Sequence, residues 1–89
     1  MEFEWDETKR QTNLHQHRVD FVRVLAAFSD PDRKSAIDDR KDYGEVRFNL
    51  LAKVGGRVFH VTYTLRGDVI RIISARKANE REQKRYESQ

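Results

Sequence analysis

Val46-Arg47-Phe48-Asn49-Leu50-Leu51-Ala52-Lys53-Val54 and Arg57-Val58-Phe59-His60-Val61-Thr62-Tyr63-Thr64-Leu65 flank a Gly55-Gly56 pair. Glycine reaches the positive φ angles that a two-residue hairpin turn needs, so the pair predicts a tight turn with Val54 opposite Arg57. That register sets Ala52 against Phe59, Leu50 against Val61, Phe48 against Tyr63 and Val46 against Leu65. All four are apolar pairs on one side of the sheet, and a slip of one residue would destroy them. The other side then carries Leu51 with His60, Asn49 with Thr62, Arg47 with Thr64, and Glu45 with Arg66.

Downstream, Arg66-Gly67 predicts a second tight turn into a strand over residues 68–75. A two-residue loop pairs Tyr63 with Ile70 and Val61 with Ile72, leaving Arg71 beside Thr62 on the polar side; a three-residue loop reverses that parity. Upstream, residues 33–43 are polar, with a short edge strand around Ser35-Ala36-Ile37. Before them, Asp6 supplies an N-cap and Glu7 a first-turn anion for a helix from about Glu7 to His17. A second helix begins near Asp20, with Phe21, Val24, Leu25 and Phe28 spaced as one buried stripe, and Pro31 ends it. Asn79 and Glu82 have capping-box spacing for a terminal helix from Glu80 to about Glu87, whose one large apolar residue is Tyr86. A helix so polar is either loosely docked or held by a partner. The expected architecture is a single α+β domain over residues 1–89: an antiparallel sheet, two N-terminal helices on its apolar face, and a polar C-terminal helix.

Composition narrows the function. The chain has 89 residues, no cysteine and a formal net charge of +3. Residues 1–70 hold 12 Lys/Arg and 12 Asp/Glu, whereas residues 71–89 hold 6 and 3, so the whole excess lies in the last part. Clustered cations suggest an anionic partner; a solvated helix of mixed charge is the plainer alternative. Without cysteine there is no disulfide framework and no thiolate metal site, which fits a reducing cytoplasm. The longest apolar run, Val24 to Phe28, is far too short to span a membrane.

Arg47, Asn49, His60, Thr62, Thr64, Arg66 and Arg71 form a polar sheet face suited to phosphate oxygens and an extended single strand. The alternative is an ordinary solvated face with Glu45 and Arg66 as a cross-strand ion pair. Lys9, Asn13 and His17, at i, i+4 and i+8, make one polar helical stripe: a ligand-facing set, or simply the wet side of a helix. The three histidines lack metal-ligand spacing, and no Gly-rich phosphate loop precedes Lys34-Ser35, so neither a metal nor a nucleotide cofactor is expected. Arg76-Lys77 sits at the margin of the sheet. Tyr86 is either a phenol returned to that rim or the packing anchor of the last helix.

These residues carry a resemblance. Phe3-Glu4-Trp5-Asp6, Lys9, Asn13, His17, Val19 and Phe21 match the opening of the BrnT family of type II toxin–antitoxin ribonuclease toxins. Tyr63-Thr64, Arg66-Gly67-Asp68, Arg71 to Ala78, Glu82 and Arg85-Tyr86-Glu87 match its later part. The resemblance implies a RelE-like fold that binds RNA on an open sheet face. It also implies metal-independent RNA cleavage that inhibits translation, and a cognate, DNA-binding, BrnA-like antitoxin that neutralises the toxin in a hetero-oligomer. Where the family usually has glycine after His17, this chain has Arg18, so the first helix is expected to end differently.

The expected chemistry is attack of a ribose 2′-OH on the adjacent phosphate. Arg71 and Arg76 would stabilise the developing charge, with Tyr86 as acid or stacking residue. His17 would be the base, with His60 competing on geometry. Lys9, Arg47, His60, Arg66 and Lys77 would contact the RNA. The alternative function is a non-catalytic nucleic-acid-binding or antitoxin-pairing domain.

Overall fold

A computed structural model describes residues 1–88. Its elements are β1 (Glu2–Glu4), α1 (Glu7–His17), a 3-10 helix (Phe21–Ser29), β2 (Lys34–Asp38), β3 (Arg47–Val54), β4 (Arg57–Arg66), β5 (Val69–Lys77) and α2 (Glu80–Glu87). The strands form one sheet in the order β1-β5-β4-β3-β2. The β3–β4 hairpin has the expected register: Ala52 opposes Phe59, Leu50 opposes Val61 and Phe48 opposes Tyr63. The fourth expected pair, Val46 with Leu65, lies past the ladder, and both side chains are exposed.

The expected antiparallel sheet under two N-terminal α-helices is not what forms. β1 pairs with β5 in parallel, Phe3 beside Ile70 and Glu4 beside Arg71, so the sheet is mixed. Two side chains fix this short strand: Phe3 packs on Phe28 with ring centroids 5.4 Å apart, and Arg71 donates to Glu4 at 2.6 Å. The second helix is a 3-10 helix, in which residues three apart eclipse. Phe21, Val24 and Ala27 accordingly form its fully buried edge. Asp20 caps it by accepting from the Val22 N–H, and Arg10 holds that carboxylate with two hydrogen bonds.

The core lies between the 3-10 helix and the sheet. Val19, Phe21 and Val24 meet Leu50, Phe59, Val61 and Ile72, all almost wholly buried. Each such side chain contributes about 1.5–3 kcal/mol through removal from water. α1 instead runs along the edge of β5 beyond the end of β1. There the Asn13 carboxamide accepts from the Ala75 N–H at 3.0 Å and donates to the Ala75 and Val19 carbonyls, each at 2.8 Å. One side chain thus stands in for a missing neighbouring strand. No helix among the described residues is long and apolar enough to cross a membrane.

The second hairpin turns at Gly67-Asp68, with Arg66 opposite Val69, so Tyr63 pairs with Ile72 and not with Ile70. The ladder then breaks between Thr62 and Tyr63, and Thr62 pairs with Ser74. Ile73 is the extra residue of a β-bulge. Before it, Arg71 opposes Thr64; after it, Arg76 opposes His60. Thr64 and His60 share a face, so the bulge brings both arginines onto it, although their odd separation in sequence would otherwise place them on opposite sides.

Arg18 ends α1 in the left-handed conformation, φ 59°, with its N–H donating to the Leu14 carbonyl at 2.9 Å. The helix therefore ends as a glycine-terminated helix would, despite the arginine. A non-glycine residue there costs about 1 kcal/mol. Arg18→Gly is expected to stabilise the fold by about 0.5–1 kcal/mol, because glycine's added freedom in the unfolded chain offsets part of the gain. A thermal melt checks this: the midpoint should rise by a few degrees, and a fall would contradict the assigned cap.

Candidate functional site

The face of the sheet opposite the core is not wholly open. α2 packs across one end of it, where Tyr86 and Ala78 join Leu51 and Val58 in a second buried cluster. The expectation of a helix either loosely docked or partner-held is therefore replaced by a docked one. Asn79 and Glu82 form the reciprocal capping box foreseen from their spacing. At the other end of the helix, Lys34 Nζ donates to the Arg85 carbonyl at 2.7 Å and to the Ser88 carbonyl, clipping the C-terminus of α2 to β2. A cation on the exposed carbonyls of a helix end is the favourable polarity.

Glu82 faces the sheet one turn before Tyr86. The Arg76 guanidinium forks onto its carboxylate, Nη1 to Oε1 at 2.8 Å and Nη2 to Oε2 at 2.9 Å. His60 Nε2 lies 4.0 Å from the same carboxylate. Hydrogen bonds from Arg76 outweigh the opposing effect of burial and hold Glu82 down to about 2. Burial, and then the Arg76 charge, push His60 below its ordinary value, with Glu82 opposing. The imidazole is therefore mainly neutral at pH 7, with a lone pair available to take a proton.

The other expected cations are spread more widely. Arg71 is on the same face but paired with Glu4. Arg47 lies 3.3 Å from Glu45 and over the Tyr43 ring at 4.1 Å, and Arg66 reaches the same glutamate at 3.8 Å. Lys77 opposes Phe59, a core-facing residue, so the strand directs it away from the face that holds Arg76. Lys9 and His17 line a groove of about 260 Å³ between α1 and β5, together with Asn13 and Ser74. Of that stripe, Asn13 is buried as the edge cap described above, while Lys9 and His17 are exposed.

Tyr86 is 9 % exposed, and its hydroxyl donates to Asp30 Oδ2 at 2.5 Å. That bond, then burial, pushes the phenol up to about 12. Burial pushes Asp30 up, but hydrogen bonds from the Lys53 N–H, the Tyr86 hydroxyl and the Asp32 N–H outweigh it and hold the carboxyl below its usual range. This is the anchoring geometry of the two considered for Tyr86. Among the described residues, no group of three or more His, Cys, Asp or Glu side chains is placed to hold a metal ion.

Sequence reasoning did not foresee Glu82 as the partner of Arg76, or Lys34 and Arg85 at the margin of this face. A signal was present. Glu82 and Tyr86 are i, i+4, so the turn of α2 that buries the tyrosine must also present the glutamate to the sheet.

The model of the ribonuclease toxin BrnT of type II toxin–antitoxin systems matches residues 5–82. The chain belongs to the BrnT family. That match covers most of the described sheet, both N-terminal helical segments and the Arg76–Glu82 fork. Family membership carries a ribonuclease toxin activity and an antitoxin partner. No curated protein sequence matches the chain.

Proposed function

We propose that this BrnT family member is an endoribonuclease that cleaves RNA by 2′-OH attack without a metal cofactor, on the sheet face beside α2. It acts in the cytoplasm and inhibits translation. A cognate, DNA-binding, BrnA-like antitoxin neutralises it in a hetero-oligomer. The reading rests on one observation: His60 and Arg76 oppose one another across β4 and β5 and meet through Glu82.

His60 accepts the 2′-OH proton as O2′ bonds to phosphorus. The 5′ oxygen then leaves, giving a 2′,3′-cyclic phosphate and a 5′-hydroxyl. Glu82 fixes the plane of the Arg76 fork, whose remaining N–H groups are left to meet charge growing on the phosphorane. Arg71, Arg47 and Arg66 track the RNA backbone further along the same face, whereas Lys77, directed to the other face, takes no part in this path. Lys9 and His17 contact RNA from the α1 groove, where His17 is the second candidate for the base. Tyr86 remains the candidate acid or stacking residue, a role that requires its hydroxyl to leave Asp30.

A second reading, a non-catalytic nucleic-acid-binding or antitoxin-pairing domain, is favoured by the carboxylates already held by Arg71 and Arg76. It predicts salt-sensitive RNA binding with no cleavage. Incubation of purified protein with RNA separates the two. Cleavage undiminished by EDTA, with 2′,3′-cyclic phosphate ends found by mass spectrometry, is the expected result. Products with 3′-hydroxyl ends, or loss of activity in EDTA, would overturn the mechanism.

A further inference from the structure

Between β2 and α2 lies a groove of about 220 Å³ that touches His60. Leu51 and Ala36 give it an apolar floor, Asn49 lies in it as an amide, and Lys34 and Arg85 stand on its α2 side. The polar chemistry is one-sided. Thr62 Oγ1 donates to Asn49 Oδ1 at 2.9 Å, which orients the carboxamide and leaves its NH2 as the group with no partner among the described residues. The Lys34 ammonium is committed to the α2 terminus, and the Arg85 guanidinium has no ion-pair partner among the described residues. Apart from the imidazole and the Ser35 hydroxyl, which is paired with the Tyr63 hydroxyl at 3.0 Å, the side chains of this groove offer hydrogen-bond donors and positive charge.

We propose that this groove is a nucleobase subsite that selects a keto base, guanine or uracil, over an amino base. The proposal rests on the ribonuclease reading for its ligand class, since a base seated beside His60 belongs to the RNA being cut. A flat base suits the space between an aliphatic floor and the helix. An unpaired single strand can splay such a base out of its stack. Guanine presents O6 and N7 as adjacent acceptors and uracil presents O4, whereas adenine and cytosine direct an amino group at the same place. Two donors facing one another leave both unpaired, which is how a hydrogen-bonding site rejects the wrong ligand.

The test uses short 2′-O-methyl oligonucleotides, which cannot react, each containing one guanine, uracil, adenine or cytosine in a common abasic frame. Binding is read by fluorescence anisotropy at low salt. The native chain should bind the guanine and uracil probes roughly tenfold more tightly than the other two, the size of one good base-edge contact. Asn49→Asp turns the groove-facing donor into an acceptor and should reverse the ranking. Thr62→Val frees the amide to flip and should flatten it; this second variant tests the idea even if Asn49→Asp does not fold. Arg85→Ala should weaken all four probes without reordering them.

Equal binding of the four probes by the native chain, no binding of any, or a ranking unchanged in both folded variants would overturn the subsite. Cleavage assays judge the ribonuclease reading separately. A chain that cuts RNA but ranks the bases equally would lose only the subsite. One that ranks them as expected but never cuts would lose only the mechanism.

Discussion

Arg76→Ala is expected to lower the rate of RNA cleavage by about 10²–10³-fold, the usual loss when one preorganised donor at the developing charge is removed. His60→Gln should cost about 10²–10⁴-fold as the loss of a general base. The double variant should be little worse than the poorer single one, because groups acting in one step are not additive. The pH profile adds a signature that misfolding cannot imitate. His60 lies below 6.5 in the native chain, because burial and the Arg76 charge disfavour its protonated form. The neutral base therefore persists below that pH, and the rate should fall only as pH drops through the lowered value. In Arg76→Ala the repelling charge is gone while the Glu82 carboxylate stays, so the acid limb should move to higher pH. In Glu82→Gln the attraction is gone, and the limb should move the other way. Undiminished cleavage by Arg76→Ala would sink the assignment of this fork to the phosphorane.

Asn13→Leu should have the largest effect on stability. The carboxamide serves the Ala75 N–H, the Ala75 carbonyl and the Val19 carbonyl, and it is itself buried. Leucine restores the bulk but serves none of them, and each buried backbone group left without a partner costs about 1–3 kcal/mol. The sum, on the order of 3–9 kcal/mol, is a large share of the 5–15 kcal/mol typical of a folded domain. Urea unfolding should show the midpoint falling sharply at an unchanged slope. A loss below about 1 kcal/mol would mean that water readily replaces the amide at that edge.

Some of this fold was legible in the chain because local chemistry decides it. Gly55-Gly56 fixes a register, and the alternation on either side allows no other. Asp6 and Asn79 announce helix starts that tertiary packing then leaves in place. What escaped was set by distant partners. Nothing in Phe3-Glu4 says that its ladder lies at Ile70-Arg71 or that the pairing is parallel. The apolar spacing over residues 21–28 fits both an α-helix and a 3-10 helix, and the burial of Ala27 in place of Leu25 reveals which one forms. In the candidate site, residue type and face were readable for His60, whereas the face of Arg71 hung on the length of the Gly67 turn, and it opposes Thr64 in place of the expected Thr62. The carboxylates that hold the arginines were not, because Glu4 lies 67 residues from Arg71 and the contact of Glu82 depends on which face α2 covers.

The bulge at Ile73 makes the composition of this face a matter of counting as much as of chemistry. An in-frame loss of that one codon would leave every proposed site side chain present. It would also regularise the β4–β5 ladder, and Arg76 would stay opposite His60, because it would then stand an even number of residues from Arg71. Closing the bulge with Ile73 retained, as a substitution elsewhere in β5 could do, would instead set Arg76 opposite Phe59 on the core-facing side, silencing the toxin without altering any residue proposed to touch RNA. A decayed copy of that sort would escape detection by anyone checking only whether the expected residues are still there.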